Sequence, residues 1–131
     1  MAFEEVKKSA NELNPYGQYL GINITELTDD YAVGLLLVTE NLLNPHGMLH
    51  GGAYYSLADT AAGVLSRTAD RKNVTLEGKL NFIKSVGKGA TIKAIAKKMH
   101  QGKTTGVYLV NIEDEKGQLL AAGIYTMYYI E

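Results

Sequence analysis

Apolar residues recur at intervals of three and four over residues 2–14, where Phe3, Val6, Ala10 and Leu13 mark one face. That spacing predicts a short amphipathic helix. Asn14-Pro15 stops it, because proline pushes the residue before it out of the helical region. Tyr16 to Leu20 reads as a connector. Alternation then takes over. Gly21–Leu27 and the mostly apolar Tyr31–Val38 read as paired strands joined through Thr28-Asp29-Asp30. Residues 40–52 run Glu-Asn-Leu-Leu-Asn-Pro-His-Gly-Met-Leu-His-Gly-Gly, and their Asn, Pro and Gly punctuation marks a loop. From Gly51 to about Ala69 proline is absent and Ala, Leu and Gly predominate, which predicts a long helix. Leu57, Ala61, Val64 and Leu65 make one apolar stripe on it, and Gly52, Ser56, Asp59, Gly63 and Ser66 make a small or polar one. With almost no charge before Arg67, this helix is expected to be buried nearly all round.

Beyond Lys72-Asn73 the pattern changes to long runs rich in Val, Ile, Thr and Tyr: Val74–Ile83, Ala90–His100, Thr104–Ile112 and Leu119–Ile130. The turns between them are too short for crossover helices, so consecutive strands are expected to pair antiparallel as a four-strand meander. Helix, two strands, long helix and meander together predict an α+β fold, an antiparallel sheet curling around one central helix. The whole of 1–131 reads as one domain, with an N-terminal helix in 1–15, the central helix at 51–69 and the meander at 74–130.

Composition narrows the function. A chain of 131 residues with 46% hydrophobic and 21% charged residues is long enough to bury roughly two-thirds of its unfolded surface. Thirteen Lys+Arg against fourteen Asp+Glu leave a net charge of −1, no balance for nucleic acid. The absence of Cys excludes disulfides, thiolate nucleophiles and Cys-based metal sites. The three His supply no H-x-x-x-H pair on a predicted helix, so no metal centre is expected. The start Met-Ala-Phe-Glu-Glu-Val-Lys-Lys lacks an apolar signal region. No run reaches the roughly 18 apolar residues of a membrane span, so a cytoplasmic protein without membrane partners is expected.

Candidate chemistry centres on Asp59, set in Leu-Ala-Asp-Thr-Ala-Ala-Gly on the central helix. An ionised carboxylate in apolar surroundings is costly unless something pairs with it or uses it. A less buried helix would leave Asp59 an ordinary surface charge. The start of that helix, Leu49-His50-Gly51-Gly52-Ala53, offers free amides and a positive dipole end suited to an oxyanion, although Gly-Gly equally marks a tight turn. His50 can orient a carbonyl or water there, or simply bond within the loop. His46 and His100 have no identifiable partner. No G-x-S-x-G, Walker loop or G-x-G-x-x-G occurs. Lys84, Lys97-Lys98 and Lys103 put positive charge near the strand turns, as solvated surface or as contacts for ligand phosphates.

The run Asn44-Pro45-His46-Gly47-Met48-Leu49-His50-Gly51-Gly52, followed by Leu57-Ala58-Asp59-Thr60-Ala61, resembles the hotdog-fold thioesterase superfamily, and within it the PaaI-type acyl-CoA thioesterases of phenylacetate degradation. Similar segments continue through Val74–Ile83, His100–Thr105 and Gly117–Gly123, with a departure at Lys84-Ser85-Val86, where relatives often have Pro. The resemblance implies a hotdog fold and hydrolysis of an acyl-CoA thioester to free acid and CoA, with no cofactor besides the CoA of the substrate. It puts the catalytic carboxylate on Asp59, as general base or nucleophile, and the carbonyl-polarising amide on Gly51 next to His50. It puts a helper on Asn44 and a water-positioning hydroxyl on Thr75. Lys84 and Lys103, with Gly52 and Gly102, then become substrate contacts. Two alternatives stay open: a hotdog hydratase or dehydratase pairing His50 with Asp59, and a non-catalytic acyl-CoA sensor. The family is built as homodimers, often paired into tetramers. Helix geometry points the same way, because eight residues separate Gly51 from Asp59, about 12 Å along one helix.

Overall fold

The computed structural model describes residues 3–130; residues 1, 2 and 131, at the ends of the expected domain and N-terminal helix, lie outside the described residues. Helix α1 spans Phe3–Glu12 and buries Val6 and Ala10. The expected connector is instead a second helix, α2 (Pro15–Leu20). Pro15 ends one helix and opens the next, because the N–H it lacks is unused in a first turn. Gly21 closes α2 at φ +88°, returning its N–H to the Gly17 and Gln18 carbonyls. Asn11 straps α1 to the sheet, accepting from Ile24 N at 2.7 Å and donating to Ile24 O at 3.0 Å.

Six strands follow as expected: β1 (Asn23–Leu27), β2 (Tyr31–Leu37), β3 (Asn73–Phe82), β4 (Thr91–Gln101), β5 (Thr105–Glu113) and β6 (Leu119–Tyr129). All pairings are antiparallel, in the order β1-β2-β4-β5-β6-β3. The four-strand meander is therefore corrected to three, β4-β5-β6. Strand β3 pairs with β6 rather than β4. The eight residues 83–90 are too few for a crossover helix with its connections, yet extended they reach about 26 Å. Crossing three strand spacings needs only about 14 Å. Leu49 N bonds Val86 O, Gly89 N bonds Val38 O and Val38 N bonds Ala90 O, so this link delivers β4 beside β2.

The sheet wraps the long helix α3 (Gly51–Ser66), which passes into a 3-10 turn at Arg67–Ala69. Leu57, Ala58, Ala61 and Leu65 are fully buried with Ile92, Ala94, Ala96, Tyr108, Val110 and Ile112. The alanines on both surfaces let helix and sheet approach closely, and each buried Leu or Ile contributes about 1.5–3 kcal/mol. Burial all round is not what forms. Tyr55, Ser56, Asp59, Thr60 and Gly63 are only half-buried, while Ser66 is fully enclosed and donates to Tyr129 Oη at 3.1 Å. The sheet buries the Leu57, Ala61 and Leu65 face of α3, and the stripe holding Asp59 is left part-open. Among the described residues no helix is long and apolar enough to cross a membrane.

Candidate active site

Asp59 is the one charged side chain in α3. Thr75 donates its hydroxyl to Asp59 Oδ1 at 2.6 Å. Met127 Sδ lies 3.5 Å from the same hydroxyl, but a hydroxyl has one proton and the carboxylate is the stronger acceptor. A β-bulge brings the pair together. Thr75 opposes Met127 and Glu77 opposes Thr126, so Leu76 is an extra residue in β3. Further along, Gly78 and Leu80 face the core; without the bulge Thr75 would alternate to the outer face with Glu77 and Lys79. Burial pushes the Asp59 carboxyl above its ordinary value, and the Thr75 hydrogen bond pulls it partly back. Nearby, burial raises the Tyr55 phenol, with further contributions from the charges of Asp59 and Glu77.

The helix start is built by its loop. Asn44 Oδ1 accepts from His46 N at 2.9 Å and Met48 N at 3.1 Å, and Asn44 N bonds Met48 O at 2.7 Å, knitting 44–48 into a closed turn. Among the described residues the Asn44 Nδ2 group has no acceptor. His50 is the N-cap of α3, its Nδ1 accepting from Gly52 N at 2.8 Å. One of the helix's orphan amides is thereby used, whereas the Gly51 N–H has no acceptor among the described residues. Gly51, Asn44, Tyr54, Phe82 and Lys84 line a pocket of about 270 Å³. The Phe82 ring forms its wall, 3.4 Å from where a Cβ on Gly51 would stand. Phe82 lies within the resembling segment Val74–Ile83, but nothing in that segment marks it as a wall of this pocket.

Within one chain the expected site residues do not converge. Asp59 and Thr75 line a separate pocket of about 340 Å³ beneath α1, together with Ser9, Asn14 and Arg67. His50 and Gly52 border a third, of about 290 Å³, against α2. Lys84 reaches Gln118 Oε1 at 2.8 Å beside the Gly51 pocket. Gly102 and Lys103 lie at the other end of α3, in the β4–β5 turn, where Arg71 donates to Lys103 O at 2.6 Å and Gly102 O at 3.4 Å. His46 and His100 are exposed. Among the described residues no three His, Asp or Glu side chains converge as a metal site. Arg67 is the residue that motif reasoning passed over, although it stands eight positions after Asp59 on the same helical face.

The chain is similar to known proteins over most of its length. ComA2 of Bacillus subtilis is 39% identical over 116 residues, covering 86% of this chain and 91% of that protein. The acyl-coenzyme A thioesterase PaaI of Escherichia coli is 35% identical over 102 residues, covering 78% and 73%. The solved structure of E. coli PaaI, from the phenylacetic acid degradation operon, superposes with a TM-score of 0.94 at 29% identity, covering 98% of this chain and 94% of that one. The structure of a hypothetical thioesterase protein with coenzyme A from Streptococcus pneumoniae superposes at 0.79 with 27% identity, covering 83% and 88%. The family model described as the thioesterase superfamily matches residues 46–121. With its sheet wrapped around α3 and a family match over more than half its length, this chain belongs to the thioesterase superfamily and has its hotdog fold.

Proposed function

We propose that the chain hydrolyses acyl-CoA thioesters to a free acid and CoA, in sites that two copies of the chain complete together. The observation that carries this reading is Asp59, a lone half-buried carboxylate whose orientation Thr75 fixes and whose affinity for a proton burial raises. A raised carboxylate is a better general base near neutral pH. The name of PaaI as an acyl-coenzyme A thioesterase and the coenzyme A in the S. pneumoniae structure support the substrate class.

In this reading Asp59 takes a proton from water as the water oxygen bonds to the thioester carbonyl carbon. The carbonyl oxygen becomes an oxyanion and accepts hydrogen bonds from Gly51 N–H, with Asn44 Nδ2 beside it. Collapse of the tetrahedral intermediate breaks the C–S bond, and the proton held by Asp59 passes to the departing sulfur. Atoms balance with water alone, so the proposal includes no cofactor. Thr75 keeps one carboxylate oxygen occupied and leaves Oδ2 to meet the water. Lys103 and Lys84 contact the phosphates of CoA, and His50 holds the helix start in place through Gly52.

Two copies enter because about 12 Å separates Gly51 from Asp59 along α3, while one carbon must lie near 3 Å from both the donor and the attacking group. A two-fold axis brings each helix start to the partner's Asp59. In support, Gly51 and Asp59 open into different pockets of one chain. Strand β3 also ends the sheet with an unpaired edge, with Val74, Leu76 and Phe82 each at least 50% exposed. Incubation with a panel of acyl-CoAs and a thiol-reactive dye tests the reaction. Hydrolysis releases thiol in step with free acid. Binding or hydration without thiol release across the panel would overturn it.

A further inference from the structure

The pocket that holds Asp59 extends well past the carboxylate, and its far end carries an unneutralised charge. Asp59 and Gly63 lie on the part-open face of α3, Arg67 continues the four-residue spacing as the first residue of the following 3-10 turn, and α1 covers them from above. Eight residues put Arg67 about 12 Å from Asp59 along the helix axis. Gly63 keeps the floor between them low: a Cβ there would meet only Asn73 Oδ1, at 3.9 Å. The half-buried Arg67 donates from Nη2 to Ser9 Oγ at 3.3 Å. Among the described residues no carboxylate lies within 4.0 Å of it. A guanidinium that has lost part of its hydration and found only a neutral hydroxyl is short of one anion. A carboxylate fits its fork with two parallel hydrogen bonds.

We propose that Arg67 is a specificity-determining residue that binds a carboxylate at the far end of the acyl group, so that the substrates are CoA half-thioesters of dicarboxylic acids. The proposal rests on the thioesterase reading and sharpens it. The reacting carbonyl sits at Asp59, the chain lies over Gly63, and the terminal carboxylate replaces the counter-ion that Arg67 lacks. A purely apolar acyl chain of equal length would leave the guanidinium uncompensated and gain only chain contacts.

The test compares adipyl-CoA with hexanoyl-CoA, which have equal chain length and differ in the terminal carboxylate. Wild-type kcat/KM is expected to favour adipyl-CoA by about tenfold or more, the size of one charge-assisted pair. In Arg67→Met the ratio should fall to about one, and Arg67→Lys should retain part of it. Gly63→Leu should lower kcat/KM for adipyl-CoA more than for acetyl-CoA, because the floor between the two ends is filled. Equal wild-type values for adipyl- and hexanoyl-CoA, or an Arg67→Met change that lowers both alike, overturns the proposal. Calorimetric binding of the two thioesters reads the same preference without turnover. If neither is hydrolysed but adipyl-CoA still binds tenfold tighter through Arg67, the thioesterase reading fails and the carboxylate site stands.

Discussion

Asn44→Asp and Asp59→Ala disable opposite halves of the proposed composite site, and together they test whether two chains share it. In Asn44→Asp the side-chain oxygen that closes the 44–48 turn is kept, at 2.9 and 3.1 Å from the His46 and Met48 amides, while the donor nitrogen is lost and a negative charge enters beside the oxyanion. Asp59→Ala removes the base. Each variant alone should be nearly inactive. Along α3, Gly51 and Asp59 stand about 12 Å apart, four times the roughly 3 Å that a reacting carbon tolerates to each group. A chain with either defect therefore cannot repair itself. Equal amounts unfolded together and refolded give mixed dimers as half of the total. One of the two sites in each mixed dimer takes its helix start from the Asp59→Ala chain and its Asp59 from the Asn44→Asp chain, so it is intact. About a quarter of wild-type thiol release should return, against nearly none for either variant refolded alone. No recovery, with mixed dimers counted by native mass spectrometry, would refute the shared site.

Thr75→Val removes the hydroxyl at constant shape, so Asp59 loses the hydrogen bond that lowers its proton affinity; the acid limb of the kcat/KM–pH profile should move to higher pH, and an unmoved limb contradicts the contact. Asp59→Asn should melt higher than wild type at pH 7. A raised carboxyl stabilises the fold only while protonated, with its contribution present below about pH 3.9 and lost as pH rises through the folded value. The gap between the two melting curves should therefore close on acidification, and calorimetry across pH checks it. Lys103→Ala should raise KM with kcat nearly unchanged and weaken the salt dependence of binding. Arg71→Ala should raise KM in the same way, because Arg71 ties the Gly102-Lys103 carbonyls and stacks 4.1 Å over Tyr129; an unchanged KM for both would make Lys103 a solvated charge.

Residue patterning carried the six strands and the central helix, because runs rich in Val, Ile, Thr and Tyr stand between clear turn signals and the helix is a proline-free run of Ala, Leu and Gly. The β3 partner was not legible. Shortness of the 83–90 link excludes a crossover helix but says nothing about where an extended chain lands, and the landing is decided by hydrogen bonds that join Val86, Gly89 and Ala90 to Leu49 and Val38, distant in sequence. Likewise Pro15 reads equally as an end and a beginning, and the six residues of α2 are too few to show a period. Asp59 stood out because nothing near it in sequence is charged. Its contact with Thr75 was reachable only through resemblance, since it depends on the Leu76 bulge, and strict alternation would have turned Thr75 outward. Arg67 was visible as the first charge after Asp59, but the role proposed for it depends on Gly63 keeping the pocket floor low and on α1 closing over it, which no spacing shows.

The most direct measurement is the steady-state rate of purified Asp59→Asn on an acyl-CoA that the wild-type protein hydrolyses, with bound substrate measured in parallel. Amide for acid keeps the shape and can still accept from Thr75, so the fold and Kd should hold while the base is gone. The expected loss in kcat is a hundredfold or more, about 2.7 kcal/mol of barrier. Retention of more than about a tenth of wild-type kcat, under roughly 1.4 kcal/mol, would contradict the assignment of Asp59 as the group that activates water.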